Sequence, residues 1–196
     1  MGAMRTPLVA LVLAGGRGSR LTPLTDHQPK PAVAFAGSYR LIDVTLSNLT
    51  HSGIKCVWIA EQYRPNLLNR YLAGGRPWDL DGTLAGLRVL PPGEGDTEDG
   101  FSEGNGHALY QHLDEVEAVG AETLVVMSAD HLCQLDLRAV VAQHERLGSD
   151  VTVVTTEIAE DPSRYGVIQT DGDRVTEYAY KPESPKGQVI ATEVLV

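Results

Sequence analysis

Residues 15 to 20 read Gly-Gly-Arg-Gly-Ser-Arg, and Lys30-Pro31 follows shortly after. Glycines let backbone amides approach an anion with no Cβ in the way, and successive amides form a concave nest for it. Arg17, Arg20 and Lys30 add positive charge to that nest. Guanidinium and ammonium groups beside free amides are the chemistry of phosphate recognition. The bland alternative is a tight turn with solvated arginines. The segment is no Walker A loop, since G-x4-G-K-[ST] occurs nowhere, and Leu21 stands where a dinucleotide fingerprint needs its third glycine. His51, His107, His112, His131 and His144 match no zinc spacing and read as surface or capping groups. No Ser-His-Asp or nucleophilic cysteine arrangement can be argued from spacing. Cys56 and Cys133 lie far apart and outside any C-x-x-C, so they read as buried free thiols of a reducing compartment.

The elements that would position the nest follow from periodicity and punctuation. Leu8 to Ala14 is apolar, rich in strand formers and followed by glycine, which predicts a first strand ending at the nest. Strands are also expected at Lys55–Ala60, Leu87–Leu90, Thr123–Ser128 and Val151–Thr156, and a hairpin of 166–170 with 174–179 about Asp171-Gly172-Asp173. Helices are expected after Asp43 as a cap, over Pro65–Leu72, over His107–Val119 and from about Leu135 to Leu147. Segment 91–103 holds five acids and no base and reads as a mobile surface loop. Strands alternating with helices imply an α/β fold with a doubly wound, mostly parallel sheet, Rossmann-like in style. Ligands of such sheets sit beyond the carboxyl ends of the strands, so the residues after Ala14, Ala60 and Ser128 are the places to look.

Composition bounds the partners. The chain has 196 residues, 42% of them hydrophobic and 21% charged, which suits one globular domain. Its 16 basic and 26 acidic residues leave a net charge of −10. That excludes a general nucleic-acid or anionic-membrane binder, both of which select a basic face. A local basic site for a small anion is still permitted. Leu8–Ala14 is too short to span a bilayer and lacks the flanks of a signal peptide, so a cytoplasmic protein without a membrane segment is expected.

The run G-G-x-G-x-R-L-x-P-L-T followed by K-P resembles the signature of the sugar-phosphate nucleotidyltransferases. Arg40-Leu41-Ile42-Asp43 with Leu46-Ser47-Asn48, Gln62-Tyr63, Ala108-Leu109-Tyr110-Gln111, Asp130-His131, Tyr165-Gly166-Val167 and Lys181-Pro182 extend the likeness over essentially the whole chain, towards the bacterial glucose-1-phosphate adenylyltransferase branch. That resemblance implies transfer of a nucleotidyl group from ATP to glucose 1-phosphate, giving ADP-glucose, a glucan precursor, and pyrophosphate. It implies that Leu13, Ala14, Gly15, Gly16, Gln62, Gly104 and Asn105 surround the nucleotide. Arg20 and Lys30 would then neutralise and steer the phosphates. Asp130 would hold Mg²⁺, its bland alternative being a helix cap. Gly166 and Lys181 would hold the sugar phosphate.

The resemblance also implies that residues 1–196 are an incomplete catalytic domain, ending before the left-handed β-helix and the second metal-binding aspartate of that branch, whose longer members are homotetramers. Two departures bear on specificity. Gly104-Asn105-Gly106-His107-Ala108 stands where the family reads G-T-A-D-A, and Tyr180 stands where it has a glutamate before K-P. Transfer from another triphosphate or to another sugar phosphate, and nucleotide binding without turnover, are therefore the alternatives.

Overall fold

The computed structural model describes residues 8–15, 18–61, 65–83, 85–91 and 105–196. Strand β1 (Leu8–Ala14) runs through the centre. Its parallel neighbours are β4 (Val57–Glu61) and β6 (Thr123–Ser128), and β5 (Leu87–Leu90) continues the parallel ladder beyond β4. Such strands, covered on both faces, must be apolar throughout, and six of the seven β1 residues are buried.

Side chains alternate across β1 between two cores. Ala10, Val12 and Ala14 pack with Ile42, Leu46 and Leu49 of helix α1 (Leu41–His51), Leu68 and Leu72 of α2 (Pro65–Leu72) and Leu137 of α5 (Leu137–Leu147). Val9, Leu11 and Leu13 face the other way, onto Ala108 of α3 (Asn105–Tyr110) and Val116 of α4 (Leu113–Ala118). The expected α/β architecture with a parallel core and helices on both sides is present.

Beyond β6 the sheet changes character. β7 (Val153–Glu157), β8 (Gly166–Asp171), β9 (Arg174–Tyr180) and β10 (Val189–Leu195) join it by antiparallel pairing. The β8–β9 hairpin is the one expected around Gly172, which adopts φ 58. β10 was not foreseen, and it carries the whole extension, pairing with β6, β7 and β8. A second, two-stranded ribbon joins β2 (Ala34–Phe35) to β3 (Tyr39–Arg40) ahead of α1.

Three local expectations are corrected. Asp43 is not the N-cap of α1: the helix begins two residues earlier, and Asp43 sits at its third position, accepting the Arg40 N–H at 2.8 Å. Residues 107–119 form two short helices rather than one, because His112 leaves helical geometry and its ring bonds the Glu115 carboxylate at 2.8 Å. The last helix starts at Leu137 and is capped by Asp136, whose carboxylate accepts the Arg138 N–H at 3.0 Å. Asp130 is therefore free of any capping duty. Apart from Pro91, which is exposed, the acidic segment 91–103 lies outside the described residues.

Candidate active site

The loop after β1 is shaped by contacts that only small or flexible residues permit. Gly18 adopts φ +67, and a Cβ there would lie 2.8 Å from the Thr25 Cγ2 and 3.0 Å from the Lys30 Cβ. Its carbonyl accepts the Thr25 hydroxyl at 2.9 Å and the Leu21 N–H at 2.8 Å, closing a 3-10 turn over Ser19–Leu21. A second such turn, Lys30–Ala32, starts at Lys30. The two turns bring the exposed Arg20 and the half-buried Lys30 to one wall of an open cleft of about 500 Å³. Leu13 and Gly15 line the same cleft at the carboxyl end of β1.

The carboxyl end of β6, the strand paired with β1, lines the cleft beside it. Ser128 Oγ donates to Asp130 Oδ1, and Lys30 Nζ forms an ion pair with Asp130 Oδ2. Burial pushes the Asp130 pKa up, but hydrogen bonds from Lys30 and Ser128 outweigh it and hold the carboxyl below its ordinary range. Asp130 is thus an ionised, oriented carboxylate facing the basic wall. Helix α1 holds this segment in place. The Thr45 hydroxyl donates to the Ser128 carbonyl at 3.0 Å, Asn48 Nδ2 donates to the Cys133 carbonyl at 2.8 Å, and the Leu137 N–H donates to Ser52 Oγ at 2.9 Å.

A second set of buried groups lies at the end of β4. Glu61, in register with Ala14, is 1% exposed. Asn69 of α2 donates to its Oε2 at 3.1 Å, and Oε1 has no partner among the described residues. Burial alone pushes its pKa up to about 7. On the same helical layer Asp43 Oδ2 accepts the Tyr71 hydroxyl at 2.6 Å. Burial, and then the Asp43 carboxylate, push the Tyr71 pKa up to about 12. The Arg40 guanidinium lies 4.4 Å from the Tyr71 ring centre.

The fold thus gathers Leu13, Gly15, Arg20, Lys30 and Asp130 in one cleft. Ala14 is buried in the core on the α1 side. Asn105 opens α3, while Gly16, Gln62 and Gly104 lie outside the described residues. Gly166 and Lys181 do not line the cleft. Gly166 is packed under the Tyr178 ring, where a Cβ would lie 2.5 Å from the hydroxyl. Lys181 adopts φ 48, donates its N–H to the Tyr165 carbonyl at 2.9 Å and rests its ammonium 4.8 Å from the Tyr180 ring centre.

Sequence reasoning missed Ser128 and Glu193, and it pointed to the position after Ala60 without naming Glu61. Ser128 and Glu193 line the cleft. Ser128 closes a run that already predicts a strand, and a serine at a strand end two residues before Asp130 was the available signal. Glu193 belongs to an element that was not foreseen. Among the described residues no group of three His, Cys, Asp or Glu side chains could hold a metal ion by itself, and no helix is long and apolar enough to cross a membrane.

Comparison with known proteins completes the picture. The nucleotidyl transferase family profile matches residues 9–194. Glucose-1-phosphate adenylyltransferases are similar to this chain: that of Lachnospira eligens is 38% identical over 98% of the chain and 46% of its own length. The enzyme of Thermotoga neapolitana is 40% identical over 96% and 45%, and that of Geobacillus stearothermophilus 38% over 98% and 50%. The chain spans about half the length of the curated relatives it matches. A Bacillus anthracis protein described as a glucose-1-phosphate thymidylyltransferase, solved with sucrose, shares the fold with a TM-score of 0.80 at 23% identity, over 96% of this chain and 70% of that one.

Proposed function

The chain belongs to the nucleotidyl transferase family, and from that premise we propose that residues 1–196 are part of the catalytic domain of an enzyme transferring an adenylyl group from ATP to glucose 1-phosphate, with release of pyrophosphate. The observation that carries the reading is the cleft at the ends of β1 and β6, where Gly15, Arg20 and Lys30 oppose an ionised Asp130. The names of relatives at 38–40% identity support the choice of ATP and glucose 1-phosphate.

The reaction asks the protein for position and charge. The phosphate oxygen of the sugar phosphate forms a bond to the α-phosphorus, and the bond from that phosphorus to the pyrophosphate oxygen breaks. No protein nucleophile is needed, so the catalytic work is orientation and neutralisation of oxygens. The backbone at Gly15, with Leu13 below it, offers a surface that a triphosphate can approach closely. Gly16 completes the nest by sequence. Arg20, exposed on the wall, neutralises the leaving phosphates. Lys30 is already turned towards Asp130, so an arriving phosphate competes with that carboxylate for the ammonium.

The donor chemistry at Asp130 fits Mg²⁺. It is a hard, ionised oxygen ligand, and Mg²⁺ takes one or two protein carboxylates and completes its shell with water and substrate phosphates. Bound there, the ion would neutralise phosphate charge. Gln62, Gly104 and Asn105 are assigned to the nucleotide, and Gly166 and Lys181 to the sugar phosphate, on the family pattern. The free thiols of Cys56 and Cys133 support a reducing, cytoplasmic setting.

Because Gly166 and Lys181 are not among the residues that line the cleft, a second reading is favoured by a specific observation: this chain binds nucleotide without turning it over. Calorimetry with ATP–Mg²⁺ and with glucose 1-phosphate, alongside a pyrophosphate-release assay, tests both. Nucleotide binding with glucose-1-phosphate-dependent pyrophosphate release supports the enzyme. Binding without release supports the second reading. No nucleotide binding overturns both.

A further inference from the structure

Glu193 is the cleft carboxylate that the proposed reaction leaves unused. β10 is flanked by β7 along one side, from Val189 to Leu195. Along its other side it meets β8 at Ile190–Val167 and β6 at Val194–Met127. The carboxyl end of β6 and the start of β8 therefore approach one another along one edge of β10, and residues 191–194 bridge the gap. At those residues the ladder with β7 slips, between Ala191 and Leu195. Such a bulge bends a strand and re-aims its side chains. The Thr192 hydroxyl fixes it by donating to the Val154 carbonyl at 2.7 Å. Glu193 is thereby exposed on the cleft, beside the strand end that carries Ser128 and Asp130.

The charges make this position selective. Asp130 is neutralised by Lys30, whereas the Glu193 carboxylate has no ion pair or hydrogen bond with the described residues. A free carboxylate repels phosphate, so the anionic part of a ligand is confined to the Arg20 and Lys30 wall. Whatever lies against Glu193 must offer hydrogen-bond donors and no negative charge. Resting on the nucleotidyl-transfer reading, we propose that Glu193 is a specificity-determining residue that accepts hydrogen bonds from ring hydroxyls of the sugar substrate. It sets which hydroxyls the acceptor must carry, and its bulge places it between the Asp130 end of β6 and the Gly166 end of β8, where the two substrates would meet.

The test is titration of the chain and its Glu193→Gln and Glu193→Ala variants, by calorimetry or by NMR at millimolar ligand, with ATP–Mg²⁺ and then with glucose 1-phosphate and its mono-deoxy analogues. Losing a hydrogen bond to a charged acceptor should weaken glucose 1-phosphate binding roughly 10- to 100-fold, with nucleotide affinity and Mg²⁺ dependence unchanged. One deoxy analogue should bind the wild-type chain more weakly by a similar factor and the Glu193→Ala variant no more weakly than glucose 1-phosphate does. Unchanged sugar-phosphate affinity in the variants overturns the proposal, as does a wild-type chain that binds nucleotide but no sugar phosphate. A shifted Mg²⁺ dependence overturns it in favour of a metal ligand. If the wild-type chain binds no nucleotide, the nucleotidyl-transfer reading itself has failed, and this inference falls with it.

Discussion

The two halves of the sheet are built on different terms. In the parallel half, β1 and β4 are buried almost throughout, with helices on both faces. In the antiparallel half, β9 is exposed at six of its seven residues, and Tyr178 and Tyr180 stand 55% and 68% exposed. The cleft follows that division. Gly15, Lys30 and Asp130 project from the ends of fully packed strands or from turns tied to them, so their positions are inherited from the core. Gly166 and Lys181 belong to the antiparallel half and do not line the cleft. A phosphate site needs fixed donors and gains from rigid strand ends. The cleft wall at the end of β1 is thus pre-formed in this chain, while among the described residues of the antiparallel half Glu193 is the one that lines the cleft.

Breaking the contrast outright calls for a core truncation. Leu11 is fully buried at the middle of β1, so Leu11→Ala should cost about 2–5 kcal/mol by denaturant unfolding. A loss under about 1 kcal/mol would mean that the parallel half is not the rigid platform.

On that platform, Arg20 sits on the surface and supports little structure. Arg20→Ala should leave the unfolding midpoint in place while lowering pyrophosphate release roughly 10²–10³-fold, as expected for one lost phosphate contact in the transition state. A folded variant with wild-type kinetics removes Arg20 from the site.

Glu61 sharpens the comparison through pH. Its folded pKa of about 7 lies above its ordinary value of 4.5, so the folded state holds the proton more tightly than the unfolded chain. The associated stability is complete below about 4.5 and is lost as pH rises to about 7, a change of up to about 3 kcal/mol. Glu61→Gln should flatten that part of the stability profile, measured by urea unfolding at a series of pH values. A profile with the same slope in both proteins refutes the assignment.

Asp130→Asn should raise the Mg²⁺ concentration needed for half-maximal nucleotide binding by roughly tenfold, since a neutral amide is a poorer ligand for a hard cation. An unmoved magnesium titration would leave Asp130 only as the partner of Lys30. The smallest effect is expected in the open half, where Val175 is 42% exposed. Val175→Ala should stay within about 0.5 kcal/mol of wild type.

The ranges of the central elements were legible because a strand buried on both faces must be written in apolar residues, and helix-forming segments must carry an apolar stripe. Leu87–Leu90, Thr123–Ser128 and Pro65–Leu72 match the sequence reading. The extent of α1 was misread because Asp43 and a capping aspartate look alike in sequence, and only the hydrogen bond back to Arg40 separates them. The glycines and basic residues after β1 stood out as a candidate phosphate site for a related reason: close approach of backbone to an anion requires specific residue types at consecutive positions.

What the sequence by itself determined is therefore local: the strands of the parallel core, the glycine- and arginine-rich run after β1, and the place of Asp130 just beyond a strand end. Tertiary structure alone decided which distant residues meet. Lys30 finds Asp130 one hundred positions away, Thr45 and Asn48 hold the segment around it, and a bulge in β10 turns Glu193 into the cleft. Those contacts depend on strand order and register. Neither is encoded in the spacing of neighbours along the chain, because pairing partners are selected by the packing of the whole sheet.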